Sequence, residues 1–462
     1  MANTIDQEKQ FKLPEGYKAP TKAGIIENIK GTGFSFKGEE VPWGIAIEPT
    51  VLPVKLGEEI NQLGEVLVNA YNFSTWLLKH GPVRERALAE RFVKAQVPPH
   101  IPSAPESLDN RRGITLMRPD LVIASERQPN GSWTLTGGIA EVETRPAGTY
   151  MIPALMEGYG LDRSAYMEHW VNFFADRPWL AFYPQEWKLY LPELEAFGQE
   201  IRRLGGDYRG LHCLDGMTKD EIDKVVPEQA NVYLFGYMDV WERAGSLDKA
   251  MHVAQKPQVI SYNPLNYHYE TKATLVLFQQ PWFQELMAKE KKYGPDQIEL
   301  LNKWLIEGHV LNVEAPQDMN PSKLVAERNS WVIKRAGFHP EATESKGLVM
   351  PKDKDHERLF VEALRQALSG QDTPWIAQRF LRSRMPQQYY RPDTGEVDVF
   401  QGSMRLTPMY IKHRKETHMA GVSSTVTYMS EKAHGGSGKE IKPGMSVMAP
   451  VVFADVPEVT YS

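Results

Sequence analysis

The 462-residue sequence contains a single cysteine, Cys213, and no long hydrophobic run. One cysteine excludes an intrachain disulfide and a cysteine-rich metal site, and it fits a reducing compartment. No stretch approaches the roughly 20 apolar residues that are needed to span a bilayer. The first twenty residues also lack the apolar segment of a signal peptide. The sequence therefore predicts a cytoplasmic protein without a membrane partner.

An excess of positive charge is lacking as well. The formal net charge is −6, whereas nucleic-acid-binding proteins usually carry a basic face that neutralises phosphates. We therefore expect no nucleic-acid partner. Hydrophobic residues make up 42% of the chain and charged residues 24%, which is typical of a folded globular protein rather than of a disordered one.

Several common catalytic motifs are also missing. The twelve histidines include no HExxH pair, and GVSS does not match the GxSxG pattern of serine hydrolases. The stretch GGSGKE lacks the serine or threonine that follows the lysine of a P-loop, and no strand–loop–helix pattern surrounds it. Zinc proteases, P-loop nucleotidases and serine hydrolases are therefore disfavoured.

Hydrophobic periodicity divides the chain into segments of different type. Helical spacing extends from Leu56 to Val97, and four prolines then interrupt the chain before residue 107. Apolar stretches separated by turns follow as a β-meander, and strands then alternate with helices as in a small parallel α/β unit. Later strands predict an antiparallel sheet. We therefore expect four segments: 1–107, 108–150, 151–265 and 266–462.

The stretch IAEVETRPAGTY carries Glu141, Glu143 and Arg145 at alternate positions. In a strand these side chains share one face, and two carboxylates so placed repel each other unless a cation lies between them. Magnesium prefers oxygen ligands, and an arginine binds phosphate or carboxylate oxygens. A solvated strand face explains the same alternation. Asp120, on the preceding predicted strand, could lie opposite the glutamates and favours the metal site.

Basic residues form the second group. Lys334 ends the apolar run WVIK and precedes a loop with two glycines. A lysine beside such a loop suits polyphosphate, although a surface hairpin with an extended lysine is an equal alternative. Lys272 begins a predicted helix, Gln378 follows a short apolar run, and Arg405 lies within a strand, where it needs an anionic partner. None of these last three is diagnostic alone.

The order of these motifs resembles that of the circularly permuted ATP-grasp proteins, which include glutathionylspermidine synthase-like and peptide-ligase-like families. RPD at 118–120 and the stretch 130–148 are similar to the family pattern R-x-D…G…E-x-N-x-R…P-x-G. The resemblance implies a mixed α+β or α/β fold, in which a permuted ATP-grasp domain with antiparallel sheets accompanies a small parallel pre-ATP-grasp domain.

The segments take roles from the same resemblance. Residues 108–150 would be the permuted metal-binding part, 151–265 the pre-ATP-grasp domain, and 266–462 the nucleotide-binding subdomains. The helical region 1–107 matches no part of the family. We expect the walls of the substrate pocket to come from this region and from the loops at 151–175 and 412–440.

The resemblance also implies residue roles. Asp120, Glu141 and Glu143 would be Mg²⁺ ligands, Arg145 a phosphate or substrate contact, and Arg405 an arginine that reaches the phosphates. Glu143 stands where the family has asparagine, which adds negative charge to the metal site. The residues expected to hold ATP are Lys272, Lys334, Gly337, Ser345, Lys346, Gly347, Gln378, Arg379, Phe380 and Leu381.

The activity implied is that of an ATP-dependent, magnesium-dependent carboxylate–amine ligase. An acid would attack the γ-phosphate to form an acyl phosphate, and an amine would then displace phosphate to form an amide or peptide bond. The partners would be a small-molecule acid and amine, and a homodimer is the default assembly. Two alternatives stay open, namely an ATP-grasp-like binding or scaffold protein without chemistry and a small-molecule kinase.

Overall fold

A computed structural model gives the fold. It describes residues 11–39, 41–94, 113–129, 132–175, 177–257, 259–263, 265–289, 293–311, 313, 320–337, 339–342, 347–351, 355–369, 375–391, 394–413, 415–428, 446–456 and 459–461.

The strands, numbered in chain order, are β1 (Gly44–Ala46), β2 (Thr50–Pro53), β3 (Leu116–Arg127), β4 (Trp133–Glu143), β5 (Trp179–Tyr183), β6 (Tyr208–Cys213), β7 (Ala230–Leu234), β8 (Val259–Ser261), β9 (Gly308–Val310), β10 (Trp331–Arg335), β11 (Leu348–Val349), β12 (Trp375–Arg379), β13 (Met385–Tyr390), β14 (Val397–His413), β15 (Glu416–Tyr428), β16 (Ser446–Ala454) and β17 (Val459–Tyr461).

The α-helices are α1 (Lys22–Gly31), α2 (Val54–His80), α3 (Val83–Lys94), α4 (Met151–Gly158), α5 (Ser164–Phe174), α6 (Leu191–Arg203), α7 (Lys219–Val225), α8 (Met238–Arg243), α9 (Leu247–Ala254), α10 (Ala273–Phe278), α11 (Pro281–Lys289), α12 (Pro295–Trp304), α13 (Pro321–Ala326) and α14 (His356–Ser369).

The largest sheet joins strands from distant parts of the sequence. In the described part of the chain it has nine strands, in the order β13-β1-β16-β15-β14-β3-β4-β17, and β2 also pairs with β16. The long central strands β3, β4, β14 and β15 are antiparallel, as the sequence predicts. Because β1 and β2 belong to this sheet, the region before residue 107 contributes to the same layer as the later segments. The segment boundaries themselves stay a prediction.

Helix α2 packs across this sheet along an apolar stripe that extends from Leu56 to Leu78. Two of its glycines allow the helix to approach the strands closely. A Cβ atom at Gly57 would lie 2.6 Å from Phe453 on β16, and one at Gly64 would overlap the ring of Tyr410 on β14. The helical spacing in the sequence predicts α2 and α3, and both predictions are confirmed.

A four-stranded parallel sheet lies in the middle of the chain, in the order β6-β5-β7-β8. Its strands alternate with helices, among them α6 between β5 and β6. Helix α7 begins with a capping box, in which Thr218 and Glu221 each bond the other's backbone N–H. The predicted small parallel α/β unit is therefore confirmed.

A third sheet carries the predicted lysine strand. Its order is β11-β10-β12-β9, all pairs being antiparallel. Helix α14 contacts β10 and β11, and its Phe360 and Leu364 belong to the same buried cluster as Trp331 and Trp375. The predicted mixed α/β class with several sheets is thus confirmed. None of the helices in the described ranges combines the length and the hydrophobicity that crossing a membrane requires.

Candidate functional site

The β3–β4 hairpin places the predicted acids opposite one another. Its register pairs Asp120 with Glu141 and Arg118 with Glu143, and the register shifts after Asp120. Residues with side chains on one face of paired strands are neighbours across the ladder. The expectation that Asp120 lies opposite the glutamates is confirmed. Asn130 and Gly131 lie outside the described residues.

Each of these three acids has a basic partner, which comes from another element for Asp120 and Glu141 and from the facing strand β3 for Glu143. Asp120 forms an ion pair of 2.7 Å with Arg405 of β14. Glu141 lies 3.2 Å from the Lys272 ammonium, and Glu143 lies 2.5 Å from the Arg118 guanidinium. Opposite charges therefore alternate along the hairpin, which offsets the repulsion that the sequence alone suggests.

Burial makes this cluster receptive to further positive charge. Asp120 is 2% exposed, and burial raises its pKa, although Arg405 opposes the shift. Burial likewise raises the pKa of Glu143 to about 7, with Arg118 lowering it and the neighbouring acids raising it. Within the described ranges, Asp120 Oδ1 has no hydrogen-bond partner although it is buried. A cation close to this oxygen would stabilise the ionised form.

The structure does not close these acids into a metal cage. Among the residues that the structure describes, no three His, Cys, Asp or Glu side chains are grouped as a metal site. The basic partners account for this arrangement, because each of them takes a position beside an acid. The buried Asp120 Oδ1 is nevertheless an oxygen of the type that Mg²⁺ prefers. Magnesium binding by Asp120, Glu141 and Glu143 therefore stays a prediction.

Lys334, on β10, points its ammonium at the middle of β4. The side chain is buried, and Nζ donates a 2.9 Å hydrogen bond to the carbonyl of Ala140. Burial lowers the pKa of Lys334 to about 8, with Lys272 adding to the shift and Glu141 opposing it. A polyanion placed beside Nζ would favour the charged form and reverse this shift.

Lys272 joins the acids to the loop after β10. Its Nζ donates to the carbonyl of Ala342 at 2.8 Å while it pairs with Glu141, and its backbone N–H donates to Ala336. Gly337 allows close packing in this loop, because a Cβ there would lie 3.1 Å from the hydroxyl of Tyr267. Lys272 thus lies beside this loop and directly before helix α10, at the helix start that the sequence predicts.

The predicted phosphate loop is described only in part. Gly347 bonds the carbonyl of Glu341 at 2.7 Å, whereas Ser345 and Lys346 lie outside the described residues. Arg335, which the sequence analysis missed, forms a 2.9 Å ion pair with Glu341 and lies 4.3 Å from the centre of the Trp375 ring. Its position directly after Lys334 is the sequence signal that could have suggested it.

Strand β12, which carries Gln378, lies against the same stretch of β4. Gln378 donates from Nε2 to the carbonyl of Ile139 at 3.1 Å. The Leu381 side chain reaches Gly138, where a Cβ would lie 2.6 Å from it. The guanidinium of Arg379 pairs instead with Glu307 and Glu327, at 2.8 and 2.9 Å.

Arg145 differs from its predicted setting. Strand β4 ends at Glu143, so strand alternation does not extend to Arg145. Its side chain is 1% exposed and pairs with Glu270, whose other oxygen accepts a 2.8 Å hydrogen bond from the backbone of Met238. Burial raises the pKa of Glu270 to about 7, against the lowering effect of Arg145. The pair ties the end of β4 to helix α8.

Arg118 is an arginine that the sequence analysis did not select. It lies two residues before Asp120 on the same strand, so the two share a face. Besides Glu143, its guanidinium contacts the carbonyl of Ala147. The strand period was therefore sufficient to suggest Arg118 as a site residue, but it did not indicate that Glu143 is its partner.

All of these groups surround one cavity of about 900 Å³, which lies within the range usual for small-molecule sites. The predicted site residues that line it are Asp120, Glu141, Glu143, Arg145, Lys272, Lys334, Gly337, Gly347, Gln378, Arg379, Phe380, Leu381 and Arg405. The N-terminal region contributes as expected, with Phe36, Lys37, Glu39, Pro42 and Trp43. The 3-10 helix Gln185–Tyr190 and the start of α8 also contribute, and the sequence analysis missed both.

Comparison with known proteins gives a likeness of fold. No family model matches the chain, and no curated protein matches it in sequence. A glutathione synthetase-like effector from Globodera pallida, in its apo form, aligns over 94% of this chain and 96% of its own, with a TM-score of 0.54 and 12% identity. A candidate gamma-glutamylcysteine synthetase from Methylobacillus flagellatus aligns over 85% and 88%, with a TM-score of 0.35 and 11% identity. The chain thus shares its overall fold with a synthetase-like protein.

Proposed function

We propose that this chain is an ATP-dependent carboxylate–amine ligase with a circularly permuted ATP-grasp fold. One observation carries the proposal: basic groups from β10, β14 and the start of α10 converge on the acid-bearing hairpin within one cavity. Lys334, Arg405 and Lys272 are the groups concerned. This convergence suits a polyphosphate, whose transfer depends on positioning and on charge neutralisation.

The order of these elements along the chain supports the permuted arrangement. The acidic hairpin, β3 and β4, precedes the lysine strand β10 and the strand β12, whereas in ordinary ATP-grasp enzymes the acidic signature comes last. The printed name of the Globodera protein, a glutathione synthetase-like effector, agrees with a ligase-like fold. We extend that likeness to activity only as part of this proposal.

In the proposed reaction, an oxygen of the acid attacks the γ-phosphorus and ADP leaves. The amine nitrogen then attacks the acyl carbon of the acyl phosphate, phosphate leaves, and the amine loses a proton. Lys334 and Lys272 would neutralise the phosphates, and Arg405 would hold Asp120 in place. Magnesium, held by Asp120, Glu141 and Glu143, would supply charge neutralisation between the phosphates.

A second candidate is a binding or scaffold protein that has kept the fold without the chemistry. The observation that favours it is the pairing of Asp120, Glu141 and Glu143 with one cation each, which makes the hairpin electrically balanced without a metal. Such a protein would bind ATP in the presence of Mg²⁺ weakly or not at all.

Calorimetry with ATP and Mg²⁺ on the full chain separates the two. The ligase should bind ATP, and its affinity should fall when Mg²⁺ is removed. In a screen of pooled acids and amines, it should release ADP and phosphate only when the correct acid and amine are both present. Release of AMP and pyrophosphate, or phosphorylation of one substrate without an amine, would place the protein in another class.

We also propose a cytoplasmic location, small-molecule acid and amine substrates, and no nucleic-acid partner. A homodimer remains the assembly we expect. Sedimentation of the purified chain would test the assembly directly.

A further inference from the structure

Successive residues of β4 lie at different ends of the cavity. Leu381 reaches Gly138, Gln378 bonds Ile139 and Lys334 bonds Ala140. The proposed nucleotide contacts therefore meet one short stretch of the strand. Glu141 and Glu143 follow, with their basic partners, and the end of β4 lies beyond them.

The far end of the cavity begins at Tyr237. Arg145 pairs with Glu270, and Glu270 accepts a hydrogen bond from the backbone N–H of Met238. This chain of contacts brings Tyr237, the residue before Met238, beside the end of β4. Tyr237 lines the same cavity as Leu381 and Gln378, and its link to β4 passes through Arg145, beyond Glu143.

Aromatic rings continue the wall from Tyr237. The Trp187 ring lies 5.2 Å from the Tyr237 ring and 5.9 Å from the Tyr190 ring, measured between ring centroids. Phe36 lies 5.8 Å from Tyr190 and 6.3 Å from Trp43. These five residues, which we call the aromatic wall, all line the cavity, and none of them is fully buried.

The aromatic wall comes from three separate parts of the chain: Phe36 and Trp43 near the N-terminal end, the 3-10 helix Gln185–Tyr190, and Tyr237, the residue before α8. Four of these rings, all except Tyr237, pack partly against the main hydrophobic core, yet all five keep exposed surface and line the cavity. Convergence of amphipathic rings on a concave surface is typical of a ligand site.

Two kinds of group bind aromatic faces well, a cation and another flat ring. The chain itself already provides cations at this end. The Lys37 ammonium lies 5.2 Å from the Tyr190 ring centre and 6.0 Å from that of Phe36. A second ammonium would be repelled by Lys37, so the wall is better suited to an uncharged ring.

The charges near the wall are already matched within the protein. Arg243 pairs with Glu186 at 3.0 Å and with Asp239 at 2.6 Å, and Arg118 pairs with Glu143. A ligand ammonium would have to compete with Arg243 for Glu186 and Asp239. A neutral ring would leave these ion pairs intact while it covered the exposed faces of the rings.

We propose that the aromatic wall binds an aromatic ring carried by the acid substrate, so that the substrate class is an arene-bearing carboxylic acid. The proposal rests on the proposed ligase function, because that function places the carboxylate at the Glu141 end, beside the phosphates. The ring would then extend past Tyr237 toward Trp187 and Tyr190.

Isothermal calorimetry on the full chain, with ATP and Mg²⁺ and then without them, tests the assignment. The probes are 3-phenylpropanoate and 3-cyclohexylpropanoate, which share charge and chain length but differ in aromaticity. We expect the phenyl acid to bind about threefold to tenfold more tightly, as one added ring contact allows. Equal affinity of the two acids would overturn the proposal.

The matched variants are Trp187→Leu and Trp282→Leu. Trp282 is also partly buried but packs in α11 beside Phe283, away from the cavity. Trp187→Leu should remove the preference for the phenyl acid, whereas Trp282→Leu should keep it. Trp187→Phe, which retains a ring, should keep most of it and shows whether a loss comes from the ring or from misfolding. A preference that survives Trp187→Leu would contradict the proposal.

Competition with ADP distinguishes the two ends. ADP should leave the binding of the phenyl acid unchanged or strengthen it; displacement of the acid by ADP would assign the wall to the nucleotide and overturn the proposal. The two proposals fail separately. If ADP is released with an aliphatic acid and the chain shows no preference for the phenyl acid, only the aromatic assignment is wrong. If the chain prefers the phenyl acid but releases ADP with no acid and amine, only the proposed ligase function is wrong.

Discussion

Asp120 and Arg405 lie 285 residues apart in the sequence and form a 2.7 Å ion pair between the neighbouring strands β3 and β14. The Asp120 side chain is 2% exposed and that of Arg405 is 13% exposed. Removing one partner of such a pair leaves the other charge buried without compensation, which costs more free energy than the pair contributes.

A double-mutant cycle follows from this pair. Asp120→Asn and Arg405→Gln should each lower the free energy of unfolding by about 3 kcal/mol, and the double variant should lose less than the sum of the two. Urea unfolding measures all three. Glu362→Gln is the control, because its pair with Arg358 is exposed and should change stability by less than about 1 kcal/mol. Additive losses would show that the two charges do not stabilise one another.

Lys334 should make nucleotide binding dependent on pH. Its pKa is lowered from 10.5 to about 8, so the free protein loses this positive charge as the pH rises through 8. Polyphosphate favours the charged lysine, and binding above this pH must therefore take up a proton. The affinity for ATP should fall between about pH 7.5 and about pH 9.5.

Calorimetry of ATP binding over this range provides the measurement. Lys334→Arg is the matched variant, because an arginine keeps its charge at every pH tested. The variant should lose the decline in affinity even if its absolute affinity is lower, and the ionisation of ATP itself cancels in the comparison. Parallel profiles for the two proteins would assign the dependence to another group.

Glu141 should be needed for magnesium-dependent binding of ATP. The Glu141→Gln variant keeps the side-chain size but removes the charge that faces Asp120 and pairs with Lys272. The factor by which Mg²⁺ raises the affinity for ATP should be at least about tenfold smaller in this variant than in the unmodified protein, because one charged oxygen ligand is lost. We also expect turnover to be abolished.

Glu126→Gln is the control for that experiment. Glu126 lies on the same hairpin, opposite Thr134 and exposed to solvent, so its substitution should leave both readouts unchanged. Full activity of Glu141→Gln would rule out the metal assignment. An equal loss in both variants would instead indicate a general disturbance of the hairpin.

The strand period predicted the acid face correctly because it is a local property. Alternation places Asp120 on the face of Arg118, and pairing of two adjacent strands brings Asp120 opposite Glu141. The same rule failed at Arg145, because β4 ends at Glu143 and the backbone beyond it is no longer extended. A periodic argument holds only as far as the element that carries it.

The partners of the acids could not be predicted in this way. Lys272 pairs with Glu141 and Arg405 pairs with Asp120 through contacts between distant segments. The periodicity within one strand or helix does not predict contacts between such segments. The aromatic wall is a similar case. Phe36 lies outside the helices and strands, and Tyr190 ends a short 3-10 helix, so neither the strand period nor the α-helix period indicates the direction of these side chains.

The packing of α2 on the large sheet reverses the usual effect that replacing a helix glycine by alanine has on stability. Replacing an exposed glycine within a helix by alanine normally stabilises a protein by about 0.5–1 kcal/mol. At Gly64, however, the added Cβ would overlap the Tyr410 ring, and the Tyr410 hydroxyl is held by the carbonyl of Ile60, one turn earlier. The ring cannot withdraw without losing that hydrogen bond.

Gly64→Ala should therefore lower the free energy of unfolding by about 1–2 kcal/mol, because overpacking exceeds the gain in helix propensity. Gly31→Ala is the matched control. Gly31 ends helix α1, and a Cβ there would meet no atom within 4 Å, so this variant should be neutral or slightly more stable. Combining Gly64→Ala with Tyr410→Leu, which removes the tethered ring, should make the alanine itself favourable relative to Tyr410→Leu alone. If Gly64→Ala destabilises equally in both backgrounds, the contact between α2 and β14 is not the cause.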